Sequence, residues 1–179
     1  TDWDDGDADL DDGGTVTCWG RNTVGESSPP GGAWDQLDMG HYFGCALSAG
    51  GSALCWGDDS GNQGSPPSGV YTDLDAGYLH ACALNATGSM TCWGSAVNGE
   101  TEGFGAYYDS VATGGQFTCA VTSTHDMQCR GLNTSGQTDA PDEPGVWESV
   151  VAGYRFACGL RTNGTAACWG DPSYDISEV

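Results

Sequence analysis

Ala76-Gly77-Tyr78-Leu79-His80-Ala81-Cys82-Ala83-Leu84-Asn85-Ala86-Thr87-Gly88-Ser89-Met90-Thr91-Cys92-Trp93-Gly94 is the stretch that decides the fold. Two short apolar runs flank a Thr-Gly turn, which reads as a β-hairpin. The two cysteines stand ten residues apart, so a turn at Thr87-Gly88 sets them opposite each other on adjacent strands.

The same text recurs along the chain. Cys-Trp-Gly appears at Cys18-Trp19-Gly20, Cys55-Trp56-Gly57, Cys92-Trp93-Gly94 and Cys168-Trp169-Gly170, with a degenerate copy at Cys129-Arg130-Gly131. These cysteines are spaced by 37, 37, 37 and 39 residues. A second series, Cys45, Cys82, Cys119 and Cys158, lies ten residues earlier, and each member follows a glycine (Gly40, Gly77, Gly114, Gly153) by five positions. An aromatic-led strand precedes each glycine: Trp34 to Met39, Tyr71 to Ala76, Tyr108 to Thr113 and Trp147 to Ala152. One repeat is thus an aromatic strand, a Gly turn, a strand through Cys, a second turn, a strand ending Trp-Gly, and a polar Gly/Pro loop. Three or four strands fit in about 37 residues. A lone unit cannot bury both faces of its sheet, so neighbours must stack. Radial stacking gives a β-propeller, which protects sheet edges.

The expected fold is therefore all-β: a propeller of about 37-residue blades, five-bladed or part of a larger or open ring, with one disulfide per full blade. Residues 34–57, 71–94, 108–131 and 147–170 are the full blades, 1–20 an incomplete Asp-rich first blade, and 171–179 a closing or donor strand. The chain is read as one repeat domain over 1–179. Hairpin geometry pairs Cys45 with Cys55, Cys82 with Cys92, Cys119 with Cys129 and Cys158 with Cys168. Opposed residues at a non-hydrogen-bonded site have Cα atoms about 4.5 Å apart, at the short end of what a disulfide accepts. Each short loop closed contributes roughly 2.5–3 kcal/mol in the chain-entropy account. Zinc sites favour cysteines two to four residues apart, a spacing these pairs lack. Disulfides need an oxidising compartment, which places the protein outside the cell, in a periplasm or on a surface.

Nine cysteines leave one over. Aligned backwards from Cys18, Ala8 falls where Cys45 stands in the next repeat. Cys18 is then a buried free thiol, or it forms an intermolecular disulfide, or its partner lies upstream.

The pattern Ala76-Gly77-x-x-His80-x-Cys82-Ala83-Leu84, with the tail Cys18-Trp19-Gly20-Arg21-Asn22-x-x-Gly25, resembles the repeats of the regulator-of-chromosome-condensation family. The likeness runs from about residue 8 to 170. It implies a propeller of four-stranded blades, and the short cysteine-rich repeat resembles secreted bacterial members. Departures are Phe43, Phe117 and Phe156 where His80 stands, and Arg130 where tryptophan stands. The nuclear members' exchange-factor and chromatin roles do not carry over, because compartment and charge differ. Tyr174 to Val179 resembles the opening strand Tyr71 to Ala76, although Trp3-Asp4-Asp5 also fits as a shortened opener. That strand closes a five-bladed ring, completes the next subunit as a donor strand, or belongs to a larger ring.

Twenty-five acidic residues face four basic ones, Arg21, Arg130, Arg155 and Arg161, for a net charge of −21. Such a chain repels phosphate backbones and anionic bilayers, so no nucleic-acid partner and no membrane insertion are expected. No run of 18 apolar residues occurs. The chain starts at Thr1, so a leader has been removed or the polypeptide is longer.

Candidate chemistry is sparse. Asp5, Asp7, Asp9 and Asp11 are alternate carboxylates that fit calcium as the sole candidate cofactor, or form an acidic solvated linker; the register fails the EF-hand test. His41, His80 and His125 are scattered, and His80 sits at a packing position. The recurring Trp19, Trp56, Trp93 and Trp169 read as packing between blades. Sequons stand at Asn85, Asn133 and Asn163. Catalytic motifs are missing, so the chain is read as a non-enzyme. Two functions remain: a secreted structural or adhesive module that self-assembles into a filament, with itself as partner, or a monomeric inhibitor-like propeller binding another extracellular protein. The variable loops Asn22 to Glu26, Asp58 to Gln63, Ser95 to Thr101 and Leu132 to Thr138 gather on one face and form the expected partner surface.

Overall fold

Short β-branched and Ala/Cys runs punctuated by glycine leave little but strands. The computed structural model describes residues 7–10, 14–102 and 104–174. Among them lies a two-stranded sheet, β1 (Asp7–Leu10) and β2 (Val16–Trp19), followed by three-stranded sheets. The second sheet holds β3 (Gln36–Met39), β4 (Phe43–Leu47) and β5 (Ala53–Gly57). The third holds β6 (Asp73–Ala76), β7 (His80–Leu84) and β8 (Met90–Gly94). The fourth holds β9 (Tyr108–Thr113), β10 (Phe117–Thr122) and β11 (Met127–Gly131). The fifth holds β12 (Trp147–Ala152), β13 (Phe156–Arg161) and β14 (Ala166–Gly170). All pairings are antiparallel meanders, and each full sheet carries three strands rather than the four that the family resemblance implies.

Glycine is required at two places in each repeat. At Gly40, Gly114 and Gly153 an added Cβ would lie 2.1, 2.0 and 2.4 Å from the rings of Phe43, Phe117 and Phe156. The ring folds back onto bare backbone, which sharpens the turn between the first two strands. At Gly57, Gly94, Gly131 and Gly170 the backbone takes φ of +96°, +99°, +112° and +115°. Only glycine enters that region cheaply, and the chain turns there into the polar loop.

The first strands of successive sheets pack side by side, and the sheets stack face on face. Each interface joins two unlike faces. One bears Phe43, Cys45 and Leu47; the next sheet meets it with Tyr71, Leu74, Ala76, Ala81, Ala83 and Trp93. The pattern repeats where Cys82 and Leu84 meet Tyr108, Val111 and Ala120, and where Phe117, Cys119 and Val121 meet Trp147, Val150, Ala157 and Trp169. Bulky residues on one face pack against small residues plus tryptophan on the other, burying both.

Disulfides join Cys45–Cys55, Cys82–Cys92, Cys119–Cys129 and Cys158–Cys168, one in each three-stranded sheet. Each pair is directly opposed in register, with Cα atoms 4.0–4.1 Å apart. That closeness marks the non-hydrogen-bonded kind of site. Ala8 pairs with Cys18 at the same register position. The free thiol of Cys18 packs half-buried against the cluster of Trp34, Ala46 and Trp56, and burial raises its pKa.

After Gly170 the chain forms a 3-10 turn, Pro172–Tyr174. The rest of the expected closing strand, residues 175–179, lies outside the described residues, as do Asp5 and Asp11 of the calcium candidates. Asp7 and Asp9 stand on β1.

Ala8→Cys places a cysteine opposite Cys18 at the register of the other four pairs. The expected outcome is a fifth disulfide, loss of the titratable thiol under non-reducing conditions, and a gain of roughly 2.5–3 kcal/mol in chemical denaturation.

Candidate functional site

The antiparallel meander sorts the connections onto two rims. The loop after each Trp-Gly starts beside the first turn of its own sheet: Asp58 N–H donates to Tyr42 O, Ser95 to Leu79 O, Leu132 to Gln116 O and Asp171 to Arg155 O, at 2.8, 2.8, 2.8 and 2.9 Å. These loops and turns form one rim. The hairpins after β4, β7, β10 and β13 form the other.

The loops look variable in sequence, yet each is built around one buried residue. Seven positions after Trp19, Trp56, Trp93 and Arg130 stand Glu26, Gln63, Glu100 and Gln137, all buried. Each side chain caps its own loop. Glu26 accepts from Thr23 N at 3.1 Å and Val24 N at 2.8 Å. Gln63 Oε1 accepts from Gly61 N, Glu100 from Asn98 N, and Gln137 from Ser135 N, at 2.8, 2.7 and 2.8 Å. Burial opposes the charge on Glu26, but hydrogen bonds from its own backbone, Val24 and Thr23 outweigh that and hold its pKa below the usual value.

The backbone carbonyl of this residue receives a tryptophan from the next sheet. Trp56 Nε1 donates to Glu26 O, Trp93 to Gln63 O and Trp169 to Gln137 O, at 2.9, 3.0 and 2.9 Å. Where Arg130 replaces tryptophan, Thr118 Oγ1 donates to Glu100 O at 2.8 Å. His80 Nε2 lies 2.8 Å from the same hydroxyl. Since Thr118 spends its proton on the carbonyl, His80 supplies the other one from Nε2, and its buried Nδ1 is left as an unpartnered acceptor. Burial depresses the His80 pKa to about 4, although Glu100 opposes this. Sequence reasoning missed this inter-sheet clasp; the 37-residue recurrence of Glu26, Gln63, Glu100 and Gln137 was the signal for it.

The inner strands carry a polar ladder. Asp38 accepts from Met39 N at 3.0 Å and from Ala76 N of the next sheet at 2.5 Å. Asp75 repeats the reach, to Thr113 N at 2.6 Å. Gln36 Nε2 donates to Asp73 at 2.9 Å and to Leu74 O at 2.8 Å. Burial, then the neighbouring Asp75 charge, raises the Asp38 pKa to about 7, with Asp73 adding to the repulsion. Asp75 is likewise raised, chiefly by burial.

On the loop rim the first turns bring aromatic rings together. His41 stacks on Tyr78 with centroids 4.0 Å apart and contacts Tyr42 at 3.6 Å. Tyr78 meets Tyr154 edge-on at 5.2 Å, across Gly115, whose N–H donates to Tyr154 O at 3.1 Å. Arginines cap both ends: Arg21 lies 4.3 Å over the Tyr42 ring, and Arg155 5.7 Å from that of Tyr154. Arg21 also donates to Tyr42 Oη at 2.9 Å, while Tyr42 sits at φ +72°, a strained position for a bulky residue. Two of the chain's four basic residues thus stand on one aromatic belt.

The remaining sequence candidates lie elsewhere. His125 turns the hairpin after β10 and its Nδ1 lies 2.7 Å from Trp147 O. Asn85 and Asn163 begin hairpins on the opposite rim, where each carbonyl oxygen accepts from the backbone two residues on. Asn133 lies on the loop rim, its Nδ2 donating to Asp139 at 2.7 Å. Among the described residues no three His, Cys, Asp or Glu side chains converge as metal ligands.

The regulator of chromosome condensation (RCC1) repeat model matches residues 71–100, 108–137 and 147–175. The ectodomain of receptor kinase CR4 from Physcomitrella patens is 30% identical over 89% of this chain and 44% of that one, with a TM-score of 0.72. The CRINKLY WD40 ectodomain of receptor kinase ACR4 from Arabidopsis thaliana is 25% identical over 88% and 57%, with a TM-score of 0.68. Prp20p of Saccharomyces cerevisiae shares the fold at 17% identity, covering 93% and 56%, with a TM-score of 0.76. The chain spans about half the length of the solved proteins it matches. No curated protein sequence matches it.

Two opposite pH responses follow. Asp38 has its pKa raised from 3.8 to about 7, so the native state holds an extra proton in that window and stability falls as pH rises through it. The melting temperature of Asp38→Asn, measured against wild type, should therefore climb between pH 4 and pH 7 and level off above. His80 is depressed from 6.5 to about 4, so its contribution is full above 6.5 and is lost as pH falls toward 4. His80→Phe, which restores the residue of three other sheets, should remove that acid-side loss in the same melts.

Proposed function

The chain belongs to the regulator of chromosome condensation (RCC1) repeat family, and we propose that it is an extracellular, non-enzymatic module that binds a partner protein through its loop rim. The observation that carries this reading is the belt Arg21–Tyr42–His41–Tyr78–Tyr154–Arg155. Tyrosine and arginine are the side chains that dominate protein interfaces, because they bury large area at little entropic cost. The belt is set on turns held by inter-sheet hydrogen bonds, His41 N to Gly77 O at 3.2 Å and Tyr78 N to Gly114 O at 3.1 Å. It is presented rigidly, which lowers the cost of binding.

Four disulfides support an extracellular setting, since reducing compartments do not keep them. Likeness to two receptor-kinase ectodomains points the same way. The net charge of −21 favours a partner with a basic rim around the contact. Glycans at Asn85 and Asn163 would stand on the opposite rim, whereas one at Asn133 would stand on the loop rim. The filament reading rests on Cys18, the incomplete first blade and the C-terminal strand; the thiol packs against the neighbouring sheet, the first sheet is two-stranded among the described residues, and residues 175–179 lie outside them.

A photo-crosslinking side chain at position 78 should capture the partner from the native extracellular milieu, while the same probe at position 87 on the hairpin rim should not. Tyr154→Ala should weaken the captured complex by a factor of about 30, the loss of one hot-spot residue. Capture from position 87 alone would overturn the assignment.

A further inference from the structure

On the hairpin rim the same backbone bond recurs wherever one sheet meets the next. Trp34 N–H donates to Gly14 O, Tyr71 to Gly51 O, Tyr108 to Gly88 O and Trp147 to His125 O, at 2.8, 2.8, 2.8 and 3.0 Å. The side chains around this bond can therefore be compared position by position. The residue before the aromatic is Ala33, Val70, Tyr107 or Val146, and the residue after it is Asp35, Thr72, Asp109 or Glu148. The hairpin of the same sheet adds Ala49, Ala86, Ser123 or Thr162. Of these four junctions, the one between the β6–β8 and β9–β11 sheets alone combines a tyrosine, a carboxylate and a hydroxyl.

A cavity of about 310 Å³ opens at that junction, lined by Asp73, Asn85, Tyr107, Asp109 and Ser123 among others. The turns that carry these residues are fixed: Gly88 N–H donates to Asn85 O at 2.8 Å, and Ser123 N–H to Tyr107 O at 2.9 Å. The side chains keep hydrogen-bonding capacity that the fold does not use. Asp73 spends Oδ1 on Gln36 Nε2 and Leu74 N, which leaves Oδ2. Asn85 Oδ1 accepts from Thr87 N, Thr87 Oγ1 and Ser89 N, which fixes the amide and leaves its Nδ2 as a donor. Among the described residues, the Asp109 carboxylate and the hydroxyls of Ser123 and Tyr107 enter no hydrogen bond of the fold. The Tyr107 side chain stands beside them, 62% exposed.

This set of groups narrows the ligand. Two carboxylates in the wall of a chain of net charge −21 repel an anion. Among the described residues no three His, Cys, Asp or Glu side chains converge, so a bare metal ion lacks its ligands. An apolar molecule would strand the carboxylates and the amide without water. A neutral pyranose has what the cavity lacks. Its hydroxyls donate to the carboxylates, which make the stronger, charge-assisted kind of hydrogen bond, and accept from Asn85 Nδ2 and Ser123. Its polarised C–H face suits the electron-rich face of an exposed tyrosine ring. The volume lies at the small end of ligand sites, with room for about one or two sugar rings.

We propose that this cavity is a binding site for a neutral saccharide, with Asp73, Asp109, Asn85 and Ser123 holding the hydroxyl edge and Tyr107 stacking on the ring. The site lies on the rim opposite the aromatic belt, and it does not depend on the partner protein proposed for that belt. The molecule then has two recognition surfaces, one for protein and one for glycan.

The test is a titration of the full chain, labelled with nitrogen-15, with the methyl glycosides of glucose, galactose and mannose and with their disaccharides. At least one sugar should shift the amide signals of Gly88, Tyr107, Asp109 and Ser123 saturably, with a dissociation constant in the millimolar range expected of a small, open site. Tyr107→Ala and Asp109→Asn should each weaken binding about tenfold, whereas Tyr107→Phe, which keeps the ring, should stay within about twofold of wild type. Retardation in gels containing a soluble neutral polysaccharide, lost in the same two variants, would identify a polymer as the source; binding of the disaccharides without retardation would identify free sugar. Both chains of evidence are read on folded protein, since Tyr107 and Asp109 are exposed and the wild-type amide spectrum serves as the reference. No sugar shifting those four amides would overturn the proposal. So would shifts that survive Tyr107→Ala and Asp109→Asn together, or glucuronate binding as well as the neutral sugars. A glycan found on Asn85 by intact mass would overturn it too, because its attachment consumes the Nδ2 donor.

Discussion

Three indole N–H groups cross from one sheet to the loop of the sheet before it, and most of the molecule is arranged to let them do so. Trp56, Trp93 and Trp169 each end on the carbonyl of a buried Glu or Gln. That carbonyl is held in place because the side chain of the same residue caps its own loop. A buried N–H without an acceptor would cost about 1–3 kcal/mol, so the loop must sit correctly before the next sheet can close on it. The clasp thereby ties loop conformation to sheet stacking, and it makes neighbouring repeats fold as coupled units.

The fourth sheet shows the constraint by changing the residues that meet it. Arg130 leaves the interface, and its side chain is exposed. Thr118 then occupies a position that is Gly44, Ala81 or Ala157 elsewhere, and donates to the waiting carbonyl. His80, in turn, replaces the usual phenylalanine and donates to Thr118. Three departures that look unrelated in sequence are one substitution in space. The compensation leaves a neutral histidine in the core, which makes this interface the acid-sensitive one.

Architecture was legible because the hairpin cysteines share a register that only an antiparallel pair of strands can give, and because 37-residue spacing recurs. The glycine five positions before each inner cysteine was visible, but its cause was not: the ring of Phe43 lies against Gly40, a contact no linear pattern displays. The loops were read as a variable surface, since their neighbours differ; the buried Glu or Gln at a fixed offset was overlooked for that reason. The belt was out of reach altogether. His41, Tyr78 and Tyr154 belong to different repeats, and only the stacking of sheets brings their rings within 6 Å of one another.

The same clasp that holds the sheets together fixes the rim where the belt is displayed, so the binding reading stands on it. Replacing Trp93 with 3-benzothienylalanine keeps the ring's shape and removes the N–H. Amide hydrogen exchange would then be followed in the loop around Gln63. The account predicts faster exchange at Gly61 and Gly64 and a stability loss of about 1–2 kcal/mol, with the strands of the other sheets unchanged. Unaltered exchange in that loop would contradict it, and would mean that packing alone holds the sheets in register.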